Sequence, residues 1–154
     1  MSGHQKGAEY DVRSGPERWH QVCGNEHAHC SRHKRSVAFY RDVLGATVLR
    51  EGEPTFLRLG NIWLTINVGG GPTDDKPEVV ASPPRDQNVL SIFLNLRVTD
   101  IRRSYDLWTS RGAQFITEPK VHTTELRCYI RDPDGYLIEV GQTTITTGPL
   151  DLYV

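Results

Sequence analysis

The sequence predicts an α+β fold made of two tandem units, each a strand, a helix and three strands. Three observations carry that prediction. The second half of the chain reads strand, helix, strand, strand, strand. The first half reads helix, strand, strand, strand, with its opening strand uncertain. A polar stretch from Gly69 to about Gln87, with Pro72, Pro77, Pro83 and Pro84, separates them. A duplication at roughly 50 residues per unit argues for two copies of one supersecondary unit. It argues against an alternating doubly wound sheet.

Taken in order, residues 1–33 form a leader rich in Gly, His, Arg and Ser, with no period of 2 or 3.6. It is expected to be poorly structured or diverged. Ser36 can cap a helix over Val37–Leu44, closed by Gly45. Val37, Tyr40 and Leu44 then form its buried stripe. Strands are expected at Ala46–Arg50, Thr55–Leu59 and Ile62–Val68, with turns at Glu51–Pro54 and Gly60-Asn61. The second unit opens with a strand at Val89–Val98. Asp100 caps a helix bearing Ile101, Tyr105 and Trp108, which Gly112 stops. Strands follow at Phe115-Ile116, Glu125–Arg131 and Tyr136–Val140. Between the last two, Pro133 fixes φ and Gly135 supplies a turn position that favours φ > 0. The domain is expected to span 34–142, with 143–154 as a tail.

The chain has 154 residues, one domain's worth of core, and a formal net charge of −1. It has no cationic surplus to hold a phosphate backbone, so nucleic acid is not an expected partner. It has no apolar run of membrane-spanning length and no signal-peptide pattern. Cys23, Cys30 and Cys128 are three in number. An odd count points away from a disulfide framework and toward the cytoplasm. The spacing of Cys23, His27, His29, Cys30 and His33 matches no common zinc module. Gly69-Gly70-Gly71 lacks the Gly-Lys-Ser/Thr of a phosphate loop.

Three motifs carry a family resemblance. Ser36-Val37-Ala38-Phe39-Tyr40-Arg41-Asp42-Val43-Leu44-Gly45 resembles the first helix of the vicinal oxygen chelate superfamily, which includes glyoxalases, bleomycin-resistance proteins and extradiol dioxygenases. Val98-Thr99-Asp100-Ile101, with Arg111-Gly112-Ala113, resembles its second helix and exit. Arg127 to Val140, through Asp132-Pro133-Asp134-Gly135, resembles its closing hairpin. The resemblance covers roughly residues 36–142. It implies a curled mixed sheet with helices on the convex face, the site on the concave face, and a homodimer.

Strand parity then assigns side chains to faces. Trp63, Thr65 and Asn67 face inward, as do Phe93, Asn95 and Arg97. Glu125, Arg127, Tyr129, Leu137 and Glu139 share that face. Leu126, Cys128 and Ile130 face a helix, which makes Cys128 an inert core thiol. The resemblance also implies a divalent metal on His or Glu side chains from four strands. The last position falls on Glu139. Two others fall near Phe93 and Trp63, which cannot ligate. The first falls near Asn25, where His27 would share the face if that stretch were a strand. A metal site normally needs three protein ligands, so the inherited centre is expected to be incomplete.

Glu139 is therefore expected as a sole remaining ligand, as a general base, or as a carboxylate paired with Arg127 or Arg97. Arg127 and Tyr129 would orient a substrate, and His122 could shuttle a proton. Trp63, Phe93, Asn95, Arg97, Glu125 and Arg127 would line a cavity for a small organic ligand. The resulting expectation is an enzyme acting on a small oxygenated metabolite. The alternatives are a non-catalytic, antibiotic-type binding protein and an inactive copy.

Overall fold

The computed structural model describes residues 26–145. Helix α1 spans Glu26–Ala38 and continues as a π-helical turn over Phe39–Val43. Strands β1 (Thr47–Arg50), β2 (Thr55–Leu59) and β3 (Ile62–Ile66) follow. The second unit holds β4 (Leu94–Arg97), α2 (Ile101–Ser110), β5 (Lys120–Val121), β6 (Glu125–Arg131) and β7 (Leu137–Thr143). The α+β class and the order within the units are those expected. The strands form two sheets, however, and not one curled sheet. One has the order β1-β2-β3 and the other β4-β7-β6-β5. β4 runs parallel to β7, while the other pairs are antiparallel. In the second sheet β4 flanks β7. No strand occupies the corresponding edge of β3 among the described residues, which leaves the two sheets unjoined.

The first helix begins earlier than expected. Residues 26–33, assigned to an unstructured leader, form the start of α1. Ser36 consequently sits inside the helix and is no N-cap. It is 2% exposed, and its hydroxyl donates to Asp134 of the β6–β7 turn. His27 lies on a helix and not on a strand, so the parity that would have turned it inward does not apply. Its side chain, like Cys23 and residues 1–25, falls outside the described part. The π turn explains a second difference. Widening the helix lets neighbouring Phe39 and Tyr40 both reach the core, where 3.6-residue spacing expects only Tyr40.

The core joins both units. Leu57, Ile101, Ile130 and Val140 are fully buried, with Cys128 and Ile138 at 1%. Burial pushes the Cys128 thiol up to about 11, consistent with an inert core residue. Asp100 caps α2 by accepting from the Arg103 amide at 3.0 Å. The α2 start is tied to β7 through Ile101 N–H and Gln142 Oε1, 2.9 Å apart. Two expected strands shorten. Phe115 makes a single bridge to Ile130. Of Val89–Val98 only Leu94–Arg97 pairs, because the partner strand ends at Leu137, one residue beyond the Leu94–Ile138 pair. Val89 and Ile92 are left exposed.

Candidate functional site

The alternation expected from sequence is present in both sheets. Ile62, Leu64 and Ile66 are half-buried, while Trp63, Thr65 and Asn67 are exposed. On β6 and β7, Cys128, Ile130, Ile138 and Val140 enter the core. Their odd-numbered neighbours form the opposite face, where β4, β7 and β6 align in register. Asn95 lies opposite Glu139, which lies opposite Tyr129. One step along, Arg97 lies opposite Gly141, which lies opposite Arg127. A small change of register would break both rows, since a one-residue slip moves every side chain to the other face.

The first row is a fixed carboxylate. Asn95 Nδ2 donates to Glu139 Oε1 at 2.7 Å, and the Tyr129 hydroxyl donates to Oε2 at 2.6 Å. Glu139 is only 6% exposed. The pairing with Arg127 or Arg97 expected as one reading is not made. Both guanidiniums are engaged by Glu125 instead, at 2.7 Å for Arg97 and 3.2 Å for Arg127. The Glu139 hydrogen bond, then burial, hold the Tyr129 phenol above the ordinary tyrosine range. It therefore stays protonated as a donor. Phe93 packs edge-on against Tyr129, with ring centroids 6.5 Å apart and planes at 71°.

The second row depends on a residue that sequence reading passed over. Arg97 on β4 must cross β7 to reach Glu125 on β6 and Thr143 on β7. It can do so because Gly141 has no side chain there. A Cβ at Gly141 would lie 2.2 Å from Arg97 Nη1. A lone glycine inside a strand often marks such a close approach, but the strand expected from sequence stops at Val140, one residue before Gly141, whereas β7 runs on to Thr143. The Arg97 hydrogen bond is also the largest cause holding the Glu125 carboxyl below its ordinary range.

The remaining candidates do not converge on Glu139. Trp63 is 72% exposed on the first sheet, opposite Arg58. On the same face Phe56 receives the Arg50 guanidinium at 5.7 Å from its ring centre. His122 is exposed in the β5–β6 turn, where its backbone N–H donates to Glu125 O at 2.8 Å. Trp63 and Glu139 stand on separate sheets among the described residues. A cavity of about 510 Å3 lies elsewhere, between α1, β3 and the β6–β7 turn, lined by His33, Tyr40, Leu64, Ile66 and Asp134 among others. It borders the β3 edge that carries no strand, and Glu139 is not part of it.

The described residues around Glu139 do not by themselves complete a divalent-metal site. Among the described residues no group of three or more His, Cys, Asp or Glu side chains converges to hold one. Glu139 accepts from two neutral donors, Asn95 and Tyr129, and Phe93, which packs on Tyr129, has no lone pair to offer. His33 bonds the Ile66 carbonyl at 3.2 Å and takes no part at Glu139.

Comparison with known proteins gives a consistent setting. The sequence model described as Glyoxalase/Bleomycin resistance protein/Dioxygenase superfamily matches residues 28–140. A protein of Shouchella clausii named metallothiol transferase FosB is 29% identical over 114 residues, covering 72% of this chain and 73% of that one. The crystal structure of a glyoxalase/bleomycin resistance protein/dioxygenase from Nocardioides superposes with a TM-score of 0.57 at 17% identity, covering 75% of this chain and 79% of that one. TnmS3, an antibiotic-binding protein from Streptomyces, gives 0.52 at 17% identity, with 72% and 86% covered. These structural likenesses establish the fold alone.

Proposed function

The chain belongs to the glyoxalase/bleomycin resistance protein/dioxygenase superfamily, and on that premise we propose that it is a small-molecule-binding member. Its ligand lies on the face carrying Glu139, and it works without a complete metal-ligand set. The observation that supports this most is the Asn95–Glu139–Tyr129 row. A buried carboxylate is fixed by two neutral donors, one of which, Tyr129, packs against the Phe93 ring. Fold alone does not assign an activity, so the reading rests on this row. Phe93, Asn95 and Tyr129 would contact the ligand, with Arg97, Arg127 and Glu125 beside them and Trp63 on the other sheet's face. No helix among the described residues is long and apolar enough to cross a membrane, and the reading places the protein in the cytoplasm.

A catalytic reading is favoured by one feature. Among the described residues no arginine pairs with Glu139, so it could act as a base while Tyr129 positions the substrate. Titration calorimetry with α-keto hemithioacetals, catechols and glycopeptide antibiotics, followed by product analysis, separates the two. Binding without turnover is expected; turnover that disappears in Glu139→Gln would establish the enzyme. For the metal, protein purified after supplying Ni, Zn, Mn and Fe is expected to carry well below one ion per chain by elemental analysis. A stoichiometric ion lost in Glu139→Ala would overturn the reading.

Exposed apolar side chains support a homodimer. Ile92 at 82% exposure and Val121 at 71% are large apolar groups that a second copy would cover. Light scattering on the eluting protein is expected to give twice the chain mass, and a monomer at micromolar concentration would refute it.

A further inference from the structure

The connection that leads into β4 is pinned to the β6–β7 hairpin at several points. Arg131 donates to the Gln87 carbonyl and, at 3.2 Å, to Asn88 Oδ1. The Tyr136 hydroxyl donates to the Ser82 carbonyl at 3.1 Å. Val89 N–H closes a turn on the Asp86 carbonyl at 3.2 Å, and the ladder takes over where Leu94 pairs with Ile138. Between these anchors lies a cleft of about 160 Å3, lined by Pro84, Val89, Leu90, Tyr136 and Leu137 among others. Both of its walls lead to the Glu139 row. Leu137 precedes Glu139 on β7 and shares its face, since successive side chains of a strand alternate. The other wall runs on from Val89 and Leu90 into Phe93, whose ring packs on Tyr129.

We propose that this cleft holds the apolar part of the ligand whose polar part meets the Asn95–Glu139–Tyr129 row. The inference rests on the small-molecule reading. It narrows the ligand to compounds that join a hydrogen-bonding head to a single aryl ring or branched alkyl group. Size sets the class. An apolar cavity of about 150 Å3 holds a benzene-sized molecule, whereas a whole drug-sized ligand occupies about 300 Å3 or more. The cleft therefore takes one ring and not an entire ligand. Leu137 to Glu139 is a step of about 7 Å along the strand, which a ring and its head group span together. The pinned ends form the cleft before the ligand arrives, so little ordering cost falls on binding. Each methylene fully buried there strengthens binding by about fourfold.

Two probes share a hydroxyl head and differ in the apolar group: benzyl alcohol and ethanol. Each is titrated into the full chain and followed by amide chemical-shift changes. Benzyl alcohol is expected to shift Val89, Leu90, Tyr136 and Leu137 together with Asn95, Tyr129 and Glu139. It is expected to bind at least about tenfold more tightly than ethanol. Leu90→Ala, at a half-exposed position outside the strands, is expected to weaken benzyl alcohol by about threefold or more and to leave ethanol unchanged. Ser91→Trp, which brings a ring of the chain's own to the exposed rim of the cleft, is expected to weaken benzyl alcohol by about fivefold. Shifts confined to the row, or equal binding of the two alcohols, would sink the cleft assignment and leave the small-molecule reading standing. Shifts confined to the cleft would overturn the placement of the ligand at Glu139 and this proposal with it. Silence in both regions also overturns the cleft, and the small-molecule reading then stands or falls on the calorimetric panel.

Discussion

Replacing Asp132 by alanine is expected to cost about 3 kcal/mol of folding stability, measured by urea or guanidinium unfolding. Asp132 is 7% exposed and works as a hub. One oxygen accepts the buried Tyr40 hydroxyl at 2.9 Å. The other accepts the amides of Asp134 at 3.0 Å and Tyr136 at 2.8 Å. Alanine would strand all three donors where water reaches them poorly. The turn they hold also receives Ser36 and Arg35 from α1, so its loss loosens the helix from the hairpin that presents Glu139. A loss below about 1 kcal/mol would mean that the hub carries little.

The same residue gives a pH signature. Burial, the largest cause, raises the Asp132 carboxyl above the ordinary aspartate range, against the lowering effect of Tyr40 and the two amides. The folded state thus holds this proton more tightly than the unfolded chain. Its contribution is fully present below the unfolded value and is lost as pH rises through the raised folded value. Glu125 behaves in the opposite sense. Its folded value is lowered, first by the Arg97 hydrogen bond. Its contribution is present above the unfolded value and is lost as pH falls through the lowered one. Stability profiles of Asp132→Asn and Glu125→Gln should each lack one of these limbs. Unchanged profiles in both would remove the basis for the assignment.

Gly141→Val is expected to lower stability by about 1–3 kcal/mol through overpacking. It should also release Arg97 from Glu125 and Thr143. The added atoms would fall on the Arg97 guanidinium, whose carbon would lie 2.9 Å from even a single Cβ. Two readouts distinguish displacement from general damage. The Glu125 acid limb should shrink toward that of Arg97→Ala, and the freed arginine should bring a measurable gain in benzoate binding. Were the valine variant to keep the wild-type acid limb, Arg97 would be shown to reach Glu125 by another route.

Much of the fold is legible in the sequence. The faces of β3, β6 and β7 follow from period-2 alternation, because each strand has one side against a core and apolar residues must fill it. Asp100, Gly112 and the Asp132–Gly135 turn follow from local backbone chemistry, which neighbouring residues decide. The start of α1 was not legible, since its first turns carry no apolar period of 3.6 and contact with β3 and the hairpin turn holds the helix in place. The role of Gly141 was not legible, because the strand expected from sequence ends at Val140 and only pairing with β4 and β6 carries it on to Thr143.

The sequence by itself determined the superfamily, the two-unit α+β order and the position of Glu139 on the face away from the helices. Those are properties of periodicity and short motifs, which act over a few residues. Only the tertiary structure decided which groups Glu139 meets. Asn95 and Tyr129 lie 44 and 10 residues away along the chain, and register across three strands brings them to it. It likewise gave both arginines to Glu125, because the gap at Gly141 lets Arg97 cross β7. Pairing among charged side chains on one face is settled by angstrom-scale distances between strands, and composition carries no record of them.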